Sequence, residues 1–324
     1  MTFSVKSLPI KISSPLTPKM FNIDVPSNSA YRVRVVLRAQ AETSVTLLSQ
    51  FRRFVLDDKH LLAGEALDFS FLAHVCDYRW RDKETTFVNC VSVGIMCGAA
   101  VVETIEAEKI DGGVLYIGGD STVSDQTADY PYRPYKTYCG WAQMLPLYMP
   151  QLCISNHAQS GASTQSWREW NFPPVWRTMQ SGDFLLLQFG HNDQKCDFLA
   201  PMGGYRDNLL FFIQEAREKG VTPILCTPIN RIIFEEDGTL DHSLDEYAAA
   251  VISAAKEEGV CCIDLHGATT RHFESLGEDN AWKYFRFCGS ERDFTHPNDY
   301  GGKLVAKMAA TLLEHSAIEG LVKR

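Results

Sequence analysis

Residues 114–122 read VLYIGGDST. Four apolar residues, Val114 to Ile117, stop at a glycine pair, and an acid and two hydroxyls follow at once. A short apolar run bounded by glycines reads as a buried strand leaving for a loop. That exit is either a plain turn, which glycine and aspartate favour, or the delivery of a serine nucleophile to the top of a sheet. The chain changes its periodicity at this point, and the change decides the fold.

Downstream, strands alternate with helices. LCIS (152–155), DFLLLQF (183–189), TPILC (222–226) and VCCIDL (260–265) are further short apolar runs. Between them lie the helical stretches GWAQMLPLYM (140–149), TQSWREW (164–170) and YRDNLLFFIQEAREKG (205–220), the last with Arg217 and Lys219 in its final turn and Gly220 as its stop. Another helix starts at Ser243-Leu244-Asp245-Glu246, the spacing of a capping box, and a last one begins near Asp299. Five apolar strands alternating with helices predict a five-stranded parallel sheet covered on both faces, a three-layer α/β/α domain over residues 111–324. Ligands of such sheets bind at the carboxyl ends of the strands, where Asp120 and Ser121 stand.

Upstream, the chain reads as strands alone. YRVRVVLRA (31–39) alternates apolar and basic residues, the mark of a half-buried strand. TSVTLLSQ, RRFVLD, LDFSFLAHV and TFVNCVSVGI follow, separated by polar turns. Residues 1–110 are therefore expected to form an antiparallel β-sandwich of jelly-roll or carbohydrate-binding type.

The 324 residues are 45% hydrophobic and 22% charged, enough for a sizeable core. No run approaches the apolar length of a membrane helix, and the first twenty residues lack the apolar core of a signal peptide. Ten cysteines are scattered, several inside apolar runs and none in a C-x-x-C pair, which suits a reducing compartment. A cytoplasmic protein is expected. The net charge of −9 is uneven: residues 1–110 hold 13 basic and 12 acidic side chains, the rest 18 and 28. That balance argues against nucleic-acid or anionic-membrane partners.

Four stretches that follow strands or precede the last helix can meet at one sheet edge. They are Gly119-Asp120-Ser121-Thr122, then NHAQSGAS with Asn156 and Gly161, then GHNDQK with Gly190, His191, Asn192 and Asp193, and finally DFTHPNDYGG with Asp293 and His296. A serine needs a base to take its proton, and the base needs a third group to hold it. Asp-x-x-His puts a carboxylate where it can hold one ring nitrogen while the other faces Ser121. Gly161 and Ser121 can offer backbone N–H groups, and Asn192 an amide, to an oxyanion. Each stretch alone is an ordinary loop; together, in this order, they predict acyl transfer.

The set resembles the four sequence blocks of the SGNH (GDSL-like) hydrolases, whose domain is flavodoxin-like. That resemblance makes Ser121 the nucleophile, Asp293 and His296 the rest of the triad, and Ser121, Gly161 and Asn192 the oxyanion hole. GDSTVSDQ, GWAQMLP, NHAQSGAS, FGHNDQK, TPINR and DFTHPNDYGG together look like rhamnogalacturonan acetylesterases, carbohydrate esterase family twelve. Ala142 departs from the usual glycine of the second of these. The resemblance implies hydrolysis of acetyl esters on pectic oligosaccharides, with no cofactor.

Asp120, Trp141, Asn156, His191, Lys195 and Arg231 are further candidates for binding substrate. Trp167, Trp170 and DYPYRPY (129–135) could form a sugar-stacking rim. The acidic catalytic half favours short or locally neutral oligosaccharides over long polyuronates. Rival readings are an esterase, lipase or thioesterase for another acyl ester, and a non-catalytic carbohydrate-binding protein. H-E-x-x-H, P-loop, G-x-G-x-x-G and G-x-S-x-G patterns do not occur, and neither metal nor cofactor is expected. A homo-oligomer is compatible with the sequence.

Overall fold

The computed structural model describes residues 1–324 apart from 7, 8, 51, 80–82, 289, 290, 317, 319, 320 and 322–324. The N-terminal strands are β1 (Thr2–Ser4), β2 (Ile10–Asp24), β3 (Ser29–Ala39), β4 (Thr43–Ser49), β5 (Arg53–Leu61), β6 (Ala66–Val75) and β9 (Cys90–Ile110), with a small hairpin of β7 (Tyr78–Arg79) and β8 (Thr85–Thr86). The antiparallel all-β unit expected there is present, but its seven strands are hydrogen-bonded as one curled sheet rather than as the two separate sheets of a sandwich. Its spine is β9, which pairs with β1 and β2 along one edge and with β3 and β4 along the other.

The pattern of β9 explains the curl. Val91, Val93, Ile95 and Cys97 point inward, then Ala100 and Val102, then Ile105 and Ala107. The inward phase changes twice, and the ladders with β2 and β3 show register breaks in those regions. Each slip exchanges the two faces and bends the strand. Bending keeps one core along all 21 residues, with Val35, Leu47, Phe71, Ile95 and Ile105 in a single cluster. The second half of β9 escaped the sequence reading because Gly98-Ala99 interrupts its alternation.

The second unit begins after Asp111-Gly112-Gly113. Its strands are β10 (Val114–Gly119), β11 (Cys153–Asn156), β12 (Phe184–Gln188), β13 (Thr222–Cys226) and β14 (Cys261–Ile263). All are parallel, in the order β11-β10-β12-β13-β14. Counted along the chain this is 2-1-3-4-5, the flavodoxin-like winding, with its topological switch between β10 and β12. The helices are α1 (Thr164–Trp170), α2 (Phe172–Thr178), α3 (Arg206–Glu218), α4 (Asp245–Glu258), α5 (Leu265–Leu276), α6 (Glu278–Ala281) and α7 (Asp299–His315). Leu185 and Leu187 of β12 pack with Trp167, Phe212 and Val251 on one face; Phe184 and Leu186 pack with Trp141, Val305 and Leu313 on the other. A hairpin of β15 (Phe285–Cys288) and β16 (Glu291–Pro297) leads into α7.

Helix α3 stops as expected: Gly220 has φ +70° and Val221 N–H returns to the Ala216 carbonyl at 2.9 Å. GWAQMLPLYM is not one helix but two 3₁₀ turns, Trp141–Gln143 and Leu145–Leu147. The capping box at Ser243 does not form; α4 begins at Asp245, and Ser243 Oγ accepts a hydrogen bond from Arg231 Nη1 at 2.8 Å.

Charged and polar side chains join the two units. Arg52 Nη1 donates to Asp299 Oδ2 at 2.8 Å, and Arg53 Nε to Asp125 Oδ2 at 2.6 Å. His74 Nδ1 and His157 Nε2 each lie 2.9 Å from Ser155 Oγ, a buried chain from β6 to β11. Burial lowers the pKa of both imidazoles to about 3, so the chain is neutral.

Candidate active site

Ser121 stands two residues beyond Gly119, the end of β10, beside the switch point. Both preceding glycines are required by packing. A Cβ on Gly118 would stand 2.6 Å from Trp167 Cζ2, and one on Gly119 would stand 2.9 Å from the Gln188 carbonyl. The strand end is thus pressed between α1 and β12.

Beneath Ser121 lies a buried polar network. Asp120 Oδ1 accepts from the N–H and the hydroxyl of Thr122, each at 2.8 Å. Gln188 Nε2 donates to Thr122 Oγ1 at 2.8 Å, and Gln188 Oε1 accepts from Trp141 Nε1 at 2.9 Å. His191 Nδ1 is 3.3 Å from Asp120 Oδ2, at ion-pair distance but not aligned as a hydrogen bond. Burial alone would raise the Asp120 carboxyl; His191 and Thr122 outweigh it and hold it below the usual range. Above this layer, Gln126 Nε2 donates to the Ser121 carbonyl at 2.9 Å and to Ser160 Oγ at 3.0 Å.

Hairpin β15–β16 brings the last block over the strand end. Ser121 Oγ is 2.8 Å from His296 Nε2, and His296 Nδ1 is 2.9 Å from Asp293 Oδ2. The other carboxylate oxygen accepts the N–H groups of Thr295 and His296 at 2.9 and 3.0 Å. Burial would raise Asp293, but these donors overcome it and keep the carboxyl below its ordinary value. Tyr138 meets the His296 ring edge-on at 5.3 Å, and the Arg286 guanidinium lies 4.3 Å from the Tyr138 ring centroid.

Two loops complete the edge. Gly161, at φ +81°, lies in the loop after β11. Among the described residues neither its N–H nor that of Ser121 has a hydrogen-bond partner. Asn192, after β12, donates through Nδ2 to the Ala162 carbonyl at 3.0 Å and accepts from Lys195 Nζ at 2.9 Å. Lys195 therefore orients the amide, leaving its second N–H unengaged. Asp193 ties the loops together by accepting from Thr164 N and Oγ1 at 2.8 and 2.6 Å and from Gly190 N at 3.2 Å. Burial raises this carboxyl to about 6.

The remaining candidates separate clearly. Trp141 is fully buried, Asp120 and His191 sit behind the strand end, and Trp167 is in the core. Asn156 is used up internally by Val123, Asp125 and Ala158. Trp141, Asp120, His191 and Trp167 are thus buried, while Asn156 is half-buried. Arg231, after β13, is half-buried and donates through Nε to Thr295 Oγ1 at 3.2 Å. Tyr130 and Tyr135 are exposed. Gln126 and Gln188 were given no role by the sequence, because a lone amide carries no signal of its partner, while Asp193 of the third block ties two loops together. Among the described residues no three His, Cys, Asp or Glu side chains gather as a metal site, and no helix is long and apolar enough to cross a membrane.

Comparison with known proteins gives a consistent pattern. The GDSL-like Lipase/Acylhydrolase family matches residues 118–304. The rhamnogalacturonan acetylesterase RhgT of Bacillus subtilis is 34% identical over 212 residues, 62% of this chain and 89% of RhgT. The rhamnogalacturonan acetylesterase of Emericella nidulans is 28% identical over 221 residues, 59% of this chain and 81% of that protein. YxiM, an uncharacterized esterase of Bacillus subtilis, is 26% identical over 304 residues, 93% of this chain and 75% of its own. Its crystal structure superposes with a TM-score of 0.59 at 24% identity, covering 93% of this chain and 82% of the other. A likeness of that extent takes in the N-terminal sheet as well as the α/β unit.

Proposed function

The chain belongs to the GDSL-like lipase/acylhydrolase family, and on that premise we propose that it is a serine esterase removing acetyl groups from carbohydrate, with acetylated rhamnogalacturonan or related pectic oligosaccharides as substrate. The observation that carries this reading is the unbroken chain Ser121 Oγ–His296 Nε2–Nδ1–Asp293 at the carboxyl end of the first parallel strand. The 34% identity to a named rhamnogalacturonan acetylesterase supports the choice of ester.

Ser121 Oγ attacks the acetyl carbonyl carbon while His296 Nε2 takes the hydroxyl proton. Asp293 holds the ring and stabilises the imidazolium. The carbonyl oxygen becomes an oxyanion facing the N–H groups of Ser121 and Gly161 and the spare N–H of Asn192. The C–O bond to the sugar then breaks, and the sugar oxygen leaves with the proton from His296. A water, deprotonated by the same imidazole, attacks the acetyl-serine and releases acetate, returning Ser121 its proton.

The test is acetate release from acetylated rhamnogalacturonan oligosaccharides, with 4-nitrophenyl acetate as the general ester, by wild type and Ser121→Ala. Loss of both activities in the variant, with the glycan preferred by wild type, is the expected result. Cleavage of the small ester alone by wild type would remove the carbohydrate assignment, and an active Ser121→Ala would remove the mechanism.

A further inference from the structure

A cleft of about 470 Å³ lies between the N-terminal sheet and the α/β unit, next to the nucleophile turn. Its size is that of a small-molecule site, about 300–1,000 Å³. One wall holds Gln50, which follows β4, and Ser92 of β9, together with hairpin β7–β8 and the Phe87 and Asn89 beyond it. The other wall is the turn from Ser124 to Thr127 and the loop from Ala158 to Ser160. The acylhydrolase family match, residues 118–304, takes in only the second wall. The first is supplied by the N-terminal unit.

Hydrogen bonds tie the second wall to the reacting groups. Gln126 Nε2 bridges the Ser121 carbonyl and Ser160 Oγ, and Ser160 precedes Gly161. Gln159 N–H donates to the Gly119 carbonyl at 2.8 Å. The cleft therefore begins one side chain away from Ser121, close enough for one oligosaccharide to occupy both.

The lining suits a sugar ring. Most of its polar groups are uncharged: the amides of Gln50, Asn89 and Gln126 and the hydroxyl of Ser160, which can serve ligand hydroxyls as donors or acceptors. Arg53 in the wall is already paired with Asp125, and His74 and His157 are neutral. Phe87 at the lip is 80% exposed, a large ring that the fold leaves in water. A pyranose offers an apolar C–H face to such a ring and its hydroxyls to the amides beneath, the mixture of aromatic and placed polar groups typical of ligand sites.

We propose that this cleft is a second sugar subsite, holding a further ring of the oligosaccharide whose acetyl group lies at Ser121. The inference rests on the deacetylation reading above and adds a preference for chain length, set by the N-terminal unit. Phe87 packs on the face of that ring, and Asn89 takes its hydroxyls.

The experiment compares kcat/KM for acetate release from an acetylated rhamnogalacturonan disaccharide and from the hexasaccharide. Wild type, Phe87→Ala, Asn89→Ala and the double variant are measured, and the readout is the ratio of the two substrates. Both side chains are exposed, so their removal leaves the core packing untouched. Wild type is expected to favour the hexasaccharide by about 10- to 100-fold, the range for one ring contact plus one or two hydrogen bonds. Phe87→Ala should lower that ratio about 2- to 10-fold, mainly through KM for the longer chain, and the double variant should lower it further. A general defect lowers both rates and leaves the ratio standing, so an unchanged ratio in the double variant overturns the proposal. Equal wild-type rates on both glycans also overturn it while leaving deacetylation intact. Cleavage of 4-nitrophenyl acetate without acetate release from either glycan removes the underlying reading, and the subsite with it.

Discussion

Arg52 in the N-terminal sheet and Asp299 at the start of α7, 247 residues apart, form an ion pair in which Nη1 reaches both carboxylate oxygens, with side-chain exposures of 2% and 0%. Asp299 is three residues beyond His296, so the sheet fastens the helix that follows the triad hairpin. Arg52 also donates to the carbonyls of Gln126 and Tyr138 at 3.0 and 2.6 Å, reaching the nucleophile turn and the aromatic beside His296. The N-terminal unit is thereby built into the support of the site.

Removing one partner strands the other. Arg52→Met is expected to lose about 3–5 kcal/mol of stability, with a pH signature. Burial raises the Asp299 carboxyl to about 6, against the pull of Arg52. A folded value above the unfolded one makes its contribution full below about pH 4 and lost as pH climbs through about 6. Without Arg52 the folded value rises further, so the deficit should be smaller at pH 5 than at pH 8. Urea melts of both proteins at the two pH values decide this, and equal deficits would count against a stranded charge.

Gly118 is a packing position. Gly118→Ala places a methyl against Trp167 and Leu187 and should cost about 1–3 kcal/mol. Trp167→Phe in the same chain should recover part of that loss if the clash is the cause. Thermal melts of the single and double variants measure the coupling; additive losses would argue against direct contact.

The amide of Asn192 is held by Lys195 on one side and Ala162 on the other. Asn192→Ala should lower kcat about 10²–10³-fold on 4-nitrophenyl acetate, the usual effect of losing one oxyanion donor. Lys195→Met should cost less, since it disturbs only the aim of that amide. Added to Asn192→Ala it should cost nothing more. A full additional loss in the double variant would give Lys195 a role of its own.

Tyr138 holds one edge of the triad imidazole, with Arg286 behind it. Aromatic pairs of this geometry contribute about 0.5–1.5 kcal/mol. Tyr138→Ala is expected to lower kcat by about 2- to 10-fold, with Tyr138→Phe retaining wild-type turnover because the ring and not the hydroxyl makes the contact. A Phe variant as impaired as Ala would move the role to the hydroxyl.

By itself the sequence determined the local and the periodic. The apolar runs gave the five strands of the parallel sheet, and the four blocks named Ser121, Gly161, Asn192, Asp293 and His296. Strands with unbroken apolar character declare themselves, and catalytic side chains come as fixed residue types at short spacings. What depends on partners distant in the chain was decided by tertiary structure. The N-terminal half announced strands but not their pairing, because the bulges in β9 that make one curled sheet follow from register with β2 and β3. That Trp141, Asp120 and His191 are buried could not be read from the sequence, since burial is set by what packs above a residue. Gln188 and Arg52 gave no sign at all; a single amide or charge reveals its work only when folding places its counterpart within about 3 Å.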